Sequence, residues 1–201
     1  MDTREMVKAR LMSEADLDRT LNRMARQIVE HLDTAPEKDA LGLIGLQSRG
    51  VVLADRLCDK IMQVEGIRLP VGVLDTTLYR DDYRIRANRA TVRSTDVPFD
   101  VTDRHVVLID DVLYTGRTLR AALDALLDLG RPASVRFLVL IDRGHREIPV
   151  CADLVGRYVP TSYGEEVRVR LVEQDGEDGV WLIDTVSEGT ETNGTLGGGI
   201  D

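Results

Sequence analysis

Apolar residues along the chain recur in two patterns, which predict helices and strands in alternation. A stripe at helical spacing predicts an amphipathic helix from Ser13 to about Leu32, with Ser13 as its N-cap. The stripe consists of Leu17, Leu21, Met24 and Ile28. The continuous apolar run at 40–46 is typical of a strand that is buried on both faces, as the strands of parallel sheets are.

The later segments continue this alternation. Further strands are predicted at 69–79, 105–110, 134–141, 167–173 and 179–184, and further helices through 51–63 and from about Thr118 to Leu129. The segment at 167–173 alternates between apolar and polar residues, which favours an edge strand. The order of elements predicts an α/β fold with a mostly parallel central sheet flanked by helices.

Two polar segments depart from this pattern. Residues 80–104 are rich in Arg and Asp and have no sustained period, and a loop of that length inside a domain is usually functional. The end of the chain, from Ser187, contains mainly Gly, Thr and Glu and offers little to bury. We therefore expect a single domain over 1–184 and a disordered tail over 185–201.

Composition narrows the class of protein. The chain has 201 residues, of which 43% are hydrophobic and 30% charged, and its 26 Lys and Arg against 35 Asp and Glu give a net charge of −9. We expect a cytoplasmic protein without a membrane partner, because no apolar run reaches the roughly 20 residues of a membrane span. Cys58 and Cys151 have no CxxC spacing and are expected to be buried free thiols, not a zinc site. An acidic chain binds RNA only through a local basic surface.

The segment VVLIDDVLYTGRT carries the strongest chemical signal. Asp110 and Asp111 end a buried strand, and Thr115, Gly116 and Thr118 follow at the start of a helix. Backbone amides at a helix N-terminus form an anion site, and Gly116 allows close approach of the ligand. The carboxylates would repel a phosphate and instead suit ribose hydroxyls or a metal-bound sugar. The pattern therefore predicts a site for a phosphorylated sugar, although either half alone is equally explained by an ordinary strand end or helix cap.

This segment resembles the phosphoribosyl pyrophosphate (PRPP) motif of type I phosphoribosyltransferases. LGLIGLQSRGVVLADRL, LDTTLYRDD and VLIDRGHREIPV are similar to segments of the pyrimidine operon regulators that double as uracil phosphoribosyltransferases. The resemblance extends from about Ser13 to Asp184. It implies a type I phosphoribosyltransferase fold with a flexible hood at about 76–104, and a homodimer or larger homo-oligomer.

The resemblance also implies roles for particular residues. Arg49, Asp110 and Asp111 would be catalytic, with Ser48 and Arg49 binding pyrophosphate and the two aspartates holding the ribose hydroxyls. Arg80 would begin the hood, Arg143 would line the nucleotide site, and the backbone of 159–162 would meet the base. The whole substrate-binding set is Ser48, Arg49, Arg80, Val107, Leu108, Ile109, Asp110, Asp111, Val112, Leu113, Tyr114, Thr115, Gly116, Arg117, Thr118 and Arg143. For Arg49, a surface salt bridge is the simpler alternative.

The implied activity is transfer of the phosphoribosyl group from PRPP to uracil, giving UMP and pyrophosphate. Mg²⁺ would arrive with PRPP, and no metal site built by the protein itself is predicted. The resemblance further implies binding of the leader of pyrimidine operon (pyr) mRNA in response to uridine nucleotides. The candidate RNA-binding residues are Arg19, Arg23 and Arg26, on the helix face opposite the apolar stripe, with His145 and Arg146. For the arginine stripe, a merely solvated helix face is the alternative.

Two other functions remain open from the sequence. The chain could be a salvage phosphoribosyltransferase for another base, such as a purine, with no role in RNA binding. It could instead be an RNA regulator whose former active site only senses nucleotides. Turnover assays with different bases distinguish the salvage enzyme from the bifunctional regulator. Assays of RNA binding and nucleotide binding test for the pure regulator.

Overall fold

A five-stranded sheet with strand order β3-β2-β4-β5-β6 lies at the centre of the protein, and all its neighbouring strands are parallel. The computed structural model describes residues 5–32, 41–80 and 94–185. The five strands are β2 (Leu41–Leu46), β3 (Val71–Leu74), β4 (His105–Leu113), β5 (Ser134–Asp142) and β6 (Leu154–Tyr158). The arrangement confirms the α/β class with a mostly parallel central sheet.

Four helices and a second sheet complete the described part of the chain. The helices are α1 (Glu14–Leu32), α2 (Arg49–Glu65), α3 (Arg117–Leu129) and the four-residue α4 (Val172–Asp175), and a 3₁₀ turn lies at Thr77–Tyr79. The second sheet is antiparallel with order β1-β8-β7, built from β1 (Glu5–Met12), β7 (Glu165–Arg170) and β8 (Gly179–Thr185). None of the helices in these ranges is long and apolar enough to cross a membrane.

Hydrophobic side chains cover both faces of the central sheet. The predicted stripe of α1 is buried and packs in one cluster with α2 and with Val107 and Ile109 of β4. Leu108, the residue between them, belongs to a second cluster with α3. This alternation follows from the two-residue period of a strand, which sends neighbouring side chains to opposite faces. Burial on both faces leaves the ends of the strands as the places for polar groups.

The start of α1 forms as the sequence predicted. The Ser13 hydroxyl accepts a hydrogen bond from the Asp16 amide at 3.2 Å, and the Asp16 carboxylate accepts one from the Ser13 amide at 2.9 Å. This reciprocal arrangement satisfies backbone donors that a helix end otherwise leaves unpaired. The exposed face of the same helix carries Arg19, Arg23 and Arg26, as expected from their offset from the apolar stripe.

Several predicted boundaries were wrong. The strand expected at 69–79 ends at Leu74, because the Asp75 carboxylate accepts hydrogen bonds from the amide and the hydroxyl of Thr77 and so begins a turn. The strand expected to stop at Asp110 continues to Leu113, which is paired with β5. The segment at 167–173 is a strand only to Arg170, at the edge of the small sheet, and then turns into α4.

Two strands were not predicted. β1 precedes the first predicted helix and pairs with β8 from the far end of the domain, so its partner is distant in sequence. β6 is a short edge strand that contains Gly156 and Arg157, which weaken the apolar signal.

In the predicted hood, residues 81–93 lie outside the described ranges, while Asp96 forms a bridge with Val73. In the predicted tail, Thr185 still belongs to β8, and 186–201 lie outside the described ranges.

The expectation that both cysteines are buried was right for Cys58 and wrong for Cys151. Cys58 is buried in α2, whereas Cys151 is exposed in the connection between β5 and β6.

Gly50 sets how closely α2 approaches the end of β4. A Cβ at this position would lie 2.3 Å from the carbonyl oxygen of Ile109, which is backbone and has little freedom to move. A larger residue would therefore push the start of α2, including Arg49, away from Asp110 and Asp111.

We predict that Gly50→Ala lowers the free energy of unfolding by roughly 1–3 kcal/mol, because it overpacks this contact. Gly164→Ala is the matched control, since a Cβ there meets nothing within 4 Å. Chemical denaturation of both variants measures the difference. Equal stability of the two variants would contradict the packing argument.

Candidate active site

The carboxyl end of β4 presents the two predicted carboxylates. Asp110 is buried, with 8% of its surface exposed, and Asp111 is half-buried. The Asp110 carboxylate accepts the Asp111 amide at 2.9 Å, and the Asp111 carboxylate accepts the Val112 amide at 2.8 Å. These bonds to the local backbone hold both side chains at the strand end in defined orientations.

Burial has a clear electrostatic effect on this pair. It raises the pKa of Asp110 well above the ordinary value of an aspartate, and the neighbouring charge of Asp111 raises it further. Burial also raises the pKa of Asp111, against the opposing influence of the positive charge on Arg49. Two carboxyl groups held in a poorly solvated place favour ligands that donate hydrogen bonds, such as hydroxyl groups.

A cavity of about 410 Å³ opens beside Asp110. Its lining includes Arg80 and the whole segment predicted to wrap the 5′-phosphate, which is called the phosphate loop here: Val112, Leu113, Tyr114, Thr115, Gly116, Arg117 and Thr118. Gly116 has a φ of +90°, a conformation that favours glycine, and it directly precedes α3. The loop therefore delivers the amide end of α3 to the cavity, which is the geometry of an anion site.

Arg80 enters the same cavity from the 3₁₀ turn after β3. One of its guanidinium nitrogens lies 3.5 Å from the Thr118 hydroxyl, and its charge acts to lower the pKa of Asp110. The sequence placed Arg80 at the base of the hood. The structure brings it next to the helix start and the buried carboxylate, although the three residues come from different segments.

Ser48 lies in the turn between β2 and α2, and Arg49 is the first residue of α2. Arg49 forms an ion pair with Asp175 of α4, with 2.7 Å between Nη2 and Oδ1, and the Ser48 carbonyl accepts a hydrogen bond from Gln174 at 3.1 Å. The salt bridge that was considered as the simpler alternative for Arg49 is therefore present. The positive charge of the same guanidinium also acts to lower the pKa of Asp111. The binding role of Arg49 stays a prediction.

Arg143 is buried after β5 and connects three segments. Its guanidinium carbon lies 4.1 Å from the centre of the Tyr114 ring, and it donates hydrogen bonds to the Thr161 hydroxyl and the Glu165 carbonyl. Burial lowers its pKa from the ordinary value of an arginine. Arg143 thus joins the phosphate loop to the segment at 159–162, which the sequence assigned to the base.

Val107, Leu108 and Ile109 occupy a different place from the other predicted substrate residues. All three are buried within β4, in the two hydrophobic clusters on either side of the sheet. Their side chains do not line the cavity among the described residues. In this structure they support the strand that carries Asp110 and Asp111.

The candidate RNA-binding residues lie in two groups. Arg19 and Arg23 line a second cavity of about 370 Å³, which also contains Arg157 of β6. Arg23 donates hydrogen bonds to the carbonyls of Val155 and Gly156, so this exposed side chain also ties α1 to β6. The sequence did not indicate that connection.

His145 and Arg146 form the second group, after β5. The His145 ring is half-buried, hydrogen-bonded to the Thr161 carbonyl at 2.5 Å and packed against the exposed Tyr163, with ring centres 4.5 Å apart. Arg146 donates to the carbonyls of Tyr114 and Gly144 and pairs with Asp142, with 21% of its side chain exposed. Arg146 is therefore engaged in holding the phosphate loop.

Sequence reasoning missed three residues that contact the predicted site. Asp175 pairs with Arg49, Glu147 pairs with Arg117 at 2.7 Å and lines the cavity, and Tyr163 covers His145. No local pattern marks them, since Glu147 and Tyr163 lie in polar loops and Asp175 ends a helix of only four residues. Their positions depend on which loops the fold brings together.

Fold and site together define a phosphoribosyltransferase of type I. A family model described as a phosphoribosyl transferase domain matches residues 14–173. The structure is similar to the hypoxanthine phosphoribosyltransferase of Trypanosoma cruzi, with a TM-score of 0.67, 18% identity, and coverage of 90% of this chain and 98% of that one. A hypoxanthine-guanine phosphoribosyltransferase from Bacillus anthracis gives a TM-score of 0.64 at 19% identity, with coverage of 90% and 99%. At such low identity, these two likenesses concern the fold alone.

Curated relatives narrow the family. The chain is 51% identical over 177 residues to the bifunctional protein PyrR of Deinococcus radiodurans, which covers 88% of this chain and 95% of the relative. It is 53% identical over 175 residues to the bifunctional protein PyrR of Thermus thermophilus, with coverage of 87% and 95%. The chain belongs to this PyrR family of phosphoribosyltransferases. The resemblance inferred from the sequence motifs is thus confirmed.

The pKa of Asp110 leads to a prediction about stability in the protein without ligand. A carboxyl whose pKa is raised by folding binds its proton more tightly when folded, so stability falls as pH rises from the ordinary value of 3.8 to the raised one. Asp110→Asn removes this penalty. We predict that Asp110→Asn melts at a higher temperature than the parent at pH 8. The variant gains free energy of unfolding of about 1.4 kcal/mol for each unit by which folding raises the pKa. The difference in melting temperature should shrink as the pH falls towards 4.

Asp178→Asn is a control for which the opposite change in melting temperature is expected. Its hydrogen bonds with Arg56 lower the pKa of Asp178, so this carboxylate stabilises the protein at neutral pH and stops doing so as pH falls through the lowered value. The variant should melt below the parent at pH 8. A destabilised Asp110→Asn at pH 8 would contradict the argument that burial opposes the charge of Asp110.

Proposed function

We propose that this protein regulates expression of a pyrimidine biosynthesis operon by binding its messenger RNA in response to uridine nucleotides, and that it also converts uracil and PRPP to UMP and pyrophosphate. The observation that carries the proposal is the shared cavity of the buried Asp110 and the loop at 112–118, in a chain that matches bifunctional PyrR proteins over most of its length. This support favours uracil over the alternative of a salvage enzyme for another base.

The site suits the two ends of PRPP. The amides and hydroxyls at Thr115–Thr118 would bind the 5′-phosphate, and Asp110 and Asp111 would accept hydrogen bonds from the ribose hydroxyls. Ser48 and Arg49 would bind the pyrophosphate. Attack by a uracil nitrogen on C1 of the ribose forms the new C–N bond while the C–O bond to pyrophosphate breaks, through a transition state with oxocarbenium character. The pyrophosphate leaves with the electron pair of the C–O bond, and the proton of the attacking nitrogen is released to solvent.

This chemistry needs no covalent intermediate on the protein. The positive charge that develops on the sugar is stabilised by nearby carboxylates, and the negative charge on departing pyrophosphate is stabilised by arginine. Holding the two reactants in line would supply much of the remaining rate enhancement. Arg80 and the segment that follows it would exclude water as a hood over the site.

Mg²⁺ fits this donor set as a companion of the substrate. Carboxylate and phosphate oxygens are the ligands that the ion prefers, and Mg²⁺ commonly retains waters and substrate phosphates instead of a cage of protein ligands. Asp110 and Asp111 are the carboxylates available at the sugar end of the cavity. The ion would neutralise charge on the pyrophosphate.

For RNA, we propose the exposed arginines of α1 with His145 as the contact surface. Arg146 contributes less, because its guanidinium already binds carbonyls of the protein. The hydrogen bonds from Arg23 to β6 offer a physical link to the nucleotide, since β6 leads directly into the segment at 159–162 proposed to meet the base. We further propose a cytoplasmic homodimer or larger homo-oligomer.

The first test compares turnover and RNA binding in the purified protein. We predict turnover of PRPP with uracil and not with hypoxanthine or orotate, and tighter binding of a pyrimidine operon leader RNA with UMP present than without it. Asp111→Asn should reduce turnover by about one to two decades, because it removes a charged hydrogen bond worth roughly 1.5–3 kcal/mol. Faster turnover with hypoxanthine would favour the salvage enzyme, and RNA binding without turnover would favour a pure regulator.

A second test addresses the RNA surface. We predict that Arg23→Glu combined with Arg26→Glu weakens RNA binding by orders of magnitude and lowers the salt dependence, by about 0.7 in log–log slope for each lost phosphate contact. Uracil turnover should persist. The melting temperature must be measured, since the Arg23 change also breaks its bonds to β6. The Arg26→Glu single variant avoids that complication.

Arg68→Glu is the matched control for charge. Arg68 is exposed and precedes β3, so it lies at the edge of the sheet opposite the strand ends that carry the site. It changes the net charge as Arg26→Glu does and should bind RNA as the parent does. Equal loss in both variants would show that net charge, and not the α1 surface, governs binding.

A further inference from the structure

The contact between Arg49 and Asp175 connects two segments that are distant in the chain. One is residues 47–49, which we call the pyrophosphate turn after its proposed ligand, and the other is α4, between β7 and β8 of the small sheet. Arg49 Nε donates to Asp175 Oδ2 at 3.2 Å and Nη2 donates to Oδ1 at 2.7 Å, which is a two-point pairing of guanidinium and carboxylate. The side chains are 30% and 20% exposed. The residues are 126 positions apart in the sequence, so only the fold brings them together.

Asp175 is itself held in place. Its Oδ2 atom accepts the amide of Leu171 at 2.9 Å, which closes the turn that forms α4. The neighbouring Gln174 donates to the carbonyl of Ser48 at 3.1 Å. Two successive residues of α4 thus contact the last residue of the turn after β2 and the first residue of α2. The contact with Arg49 is through its side chain, and the contact with Ser48 is through its backbone.

The charge of Arg49 also acts on Asp111, one of the two carboxylates of the proposed sugar site. Its positive charge lowers the pKa of Asp111 against the effect of burial. A guanidinium has five N–H donors in a fixed plane, and the pairing with Asp175 uses two of them. Arg49 can therefore hold Asp175 and bind a second anion in the same plane.

We propose that Asp175 is a positioning residue, which holds the Arg49 guanidinium in the orientation that receives the pyrophosphate of PRPP, while Gln174 fixes the backbone of the same turn. This inference rests on the proposed role of Arg49 in binding pyrophosphate. An unpaired arginine side chain samples many rotamers and loses that freedom when a ligand binds, so prior ordering favours binding.

Other residues attach α4 and the turn after it to α2. Arg56, two helical turns after Arg49, pairs with Glu173 at 2.6 Å and with Asp178 at 2.8 Å. These pairs tether the same segment and lie away from the turn at 47–49. Asp175 is thus distinguished from Glu173 by its contact with the pyrophosphate turn and not by its charge or its helix.

The test compares Asp175→Asn with Glu173→Gln in the full-length protein. Calorimetric titrations use PRPP with Mg²⁺, pyrophosphate with Mg²⁺, and UMP, which occupies the base, ribose and 5′-phosphate positions but carries no pyrophosphate. Asp175→Asn should weaken PRPP and pyrophosphate binding roughly two- to tenfold, the range set by the ordering of one long side chain. Its affinity for UMP and its KM for uracil should match the parent.

Results with the other variants sharpen the test. Glu173→Gln should bind PRPP as the parent does, and Asp175→Glu should recover part of the lost affinity because it restores the carboxylate. In an Arg49→Ala background, Asp175→Asn should cause no additional loss. If Asp175→Asn does not fold, Gln174→Ala tests the same turn through its hydrogen bond to Ser48 and should also weaken pyrophosphate binding selectively.

Failure of the role of Asp175 and failure of the role of Arg49 give different results. Unchanged or tighter PRPP binding by Asp175→Asn, or an equal loss for UMP, or an equal loss in Glu173→Gln, would overturn the positioning role. If Arg49→Ala itself binds PRPP and pyrophosphate as the parent does, the proposed role of Arg49 fails, and the inference about Asp175 fails with it. Uracil turnover by the parent, together with a selective loss of PRPP and pyrophosphate binding in Asp175→Asn, supports both the proposed function and the role of Asp175.

Discussion

Helices α1 and α2 cover one face of the central sheet and α3 covers the other, so its strands offer polar groups only at their ends. A buried parallel strand has no solvated face on which to place a charged residue without a large desolvation cost. Because β2, β4 and β5 run parallel, the turns that follow them all open at the same edge of the sheet. The close approach of Gly50 to Ile109 then brings the turn of β2 next to the carboxylates of β4.

Function and stability compete at that edge. Asp110 is nearly buried, and its charge is opposed both by burial and by Asp111. A folded protein without a ligand gains nothing from such a pair, whereas a ligand that donates hydrogen bonds or brings positive charge relieves it. Strained electrostatics of this kind are common in active sites, because the groups are arranged for the bound state.

The small sheet does more than close the domain. Its β7–β8 connection carries α4, which contacts the pyrophosphate turn through Asp175 and Gln174 and contacts α2 through Glu173. Arg143 makes a comparable link on the other side, from the end of β5 to Tyr114, Thr161 and Glu165. The loops around the cavity are therefore braced by arginines whose partners come from remote segments.

Local sequence determined the α/β class, the start of α1, and the strand–loop–helix unit at 105–129, because periodicity, capping and the phosphate loop act between neighbouring residues. It also indicated Asp110, Asp111 and Thr115–Thr118 as one site. Only the tertiary structure decided the pairing of β1 with β8, the contact of Asp175 with Arg49, and the engagement of Arg146 by loop carbonyls. Such contacts join residues far apart in the chain, and their free energy depends on geometry that no local pattern encodes.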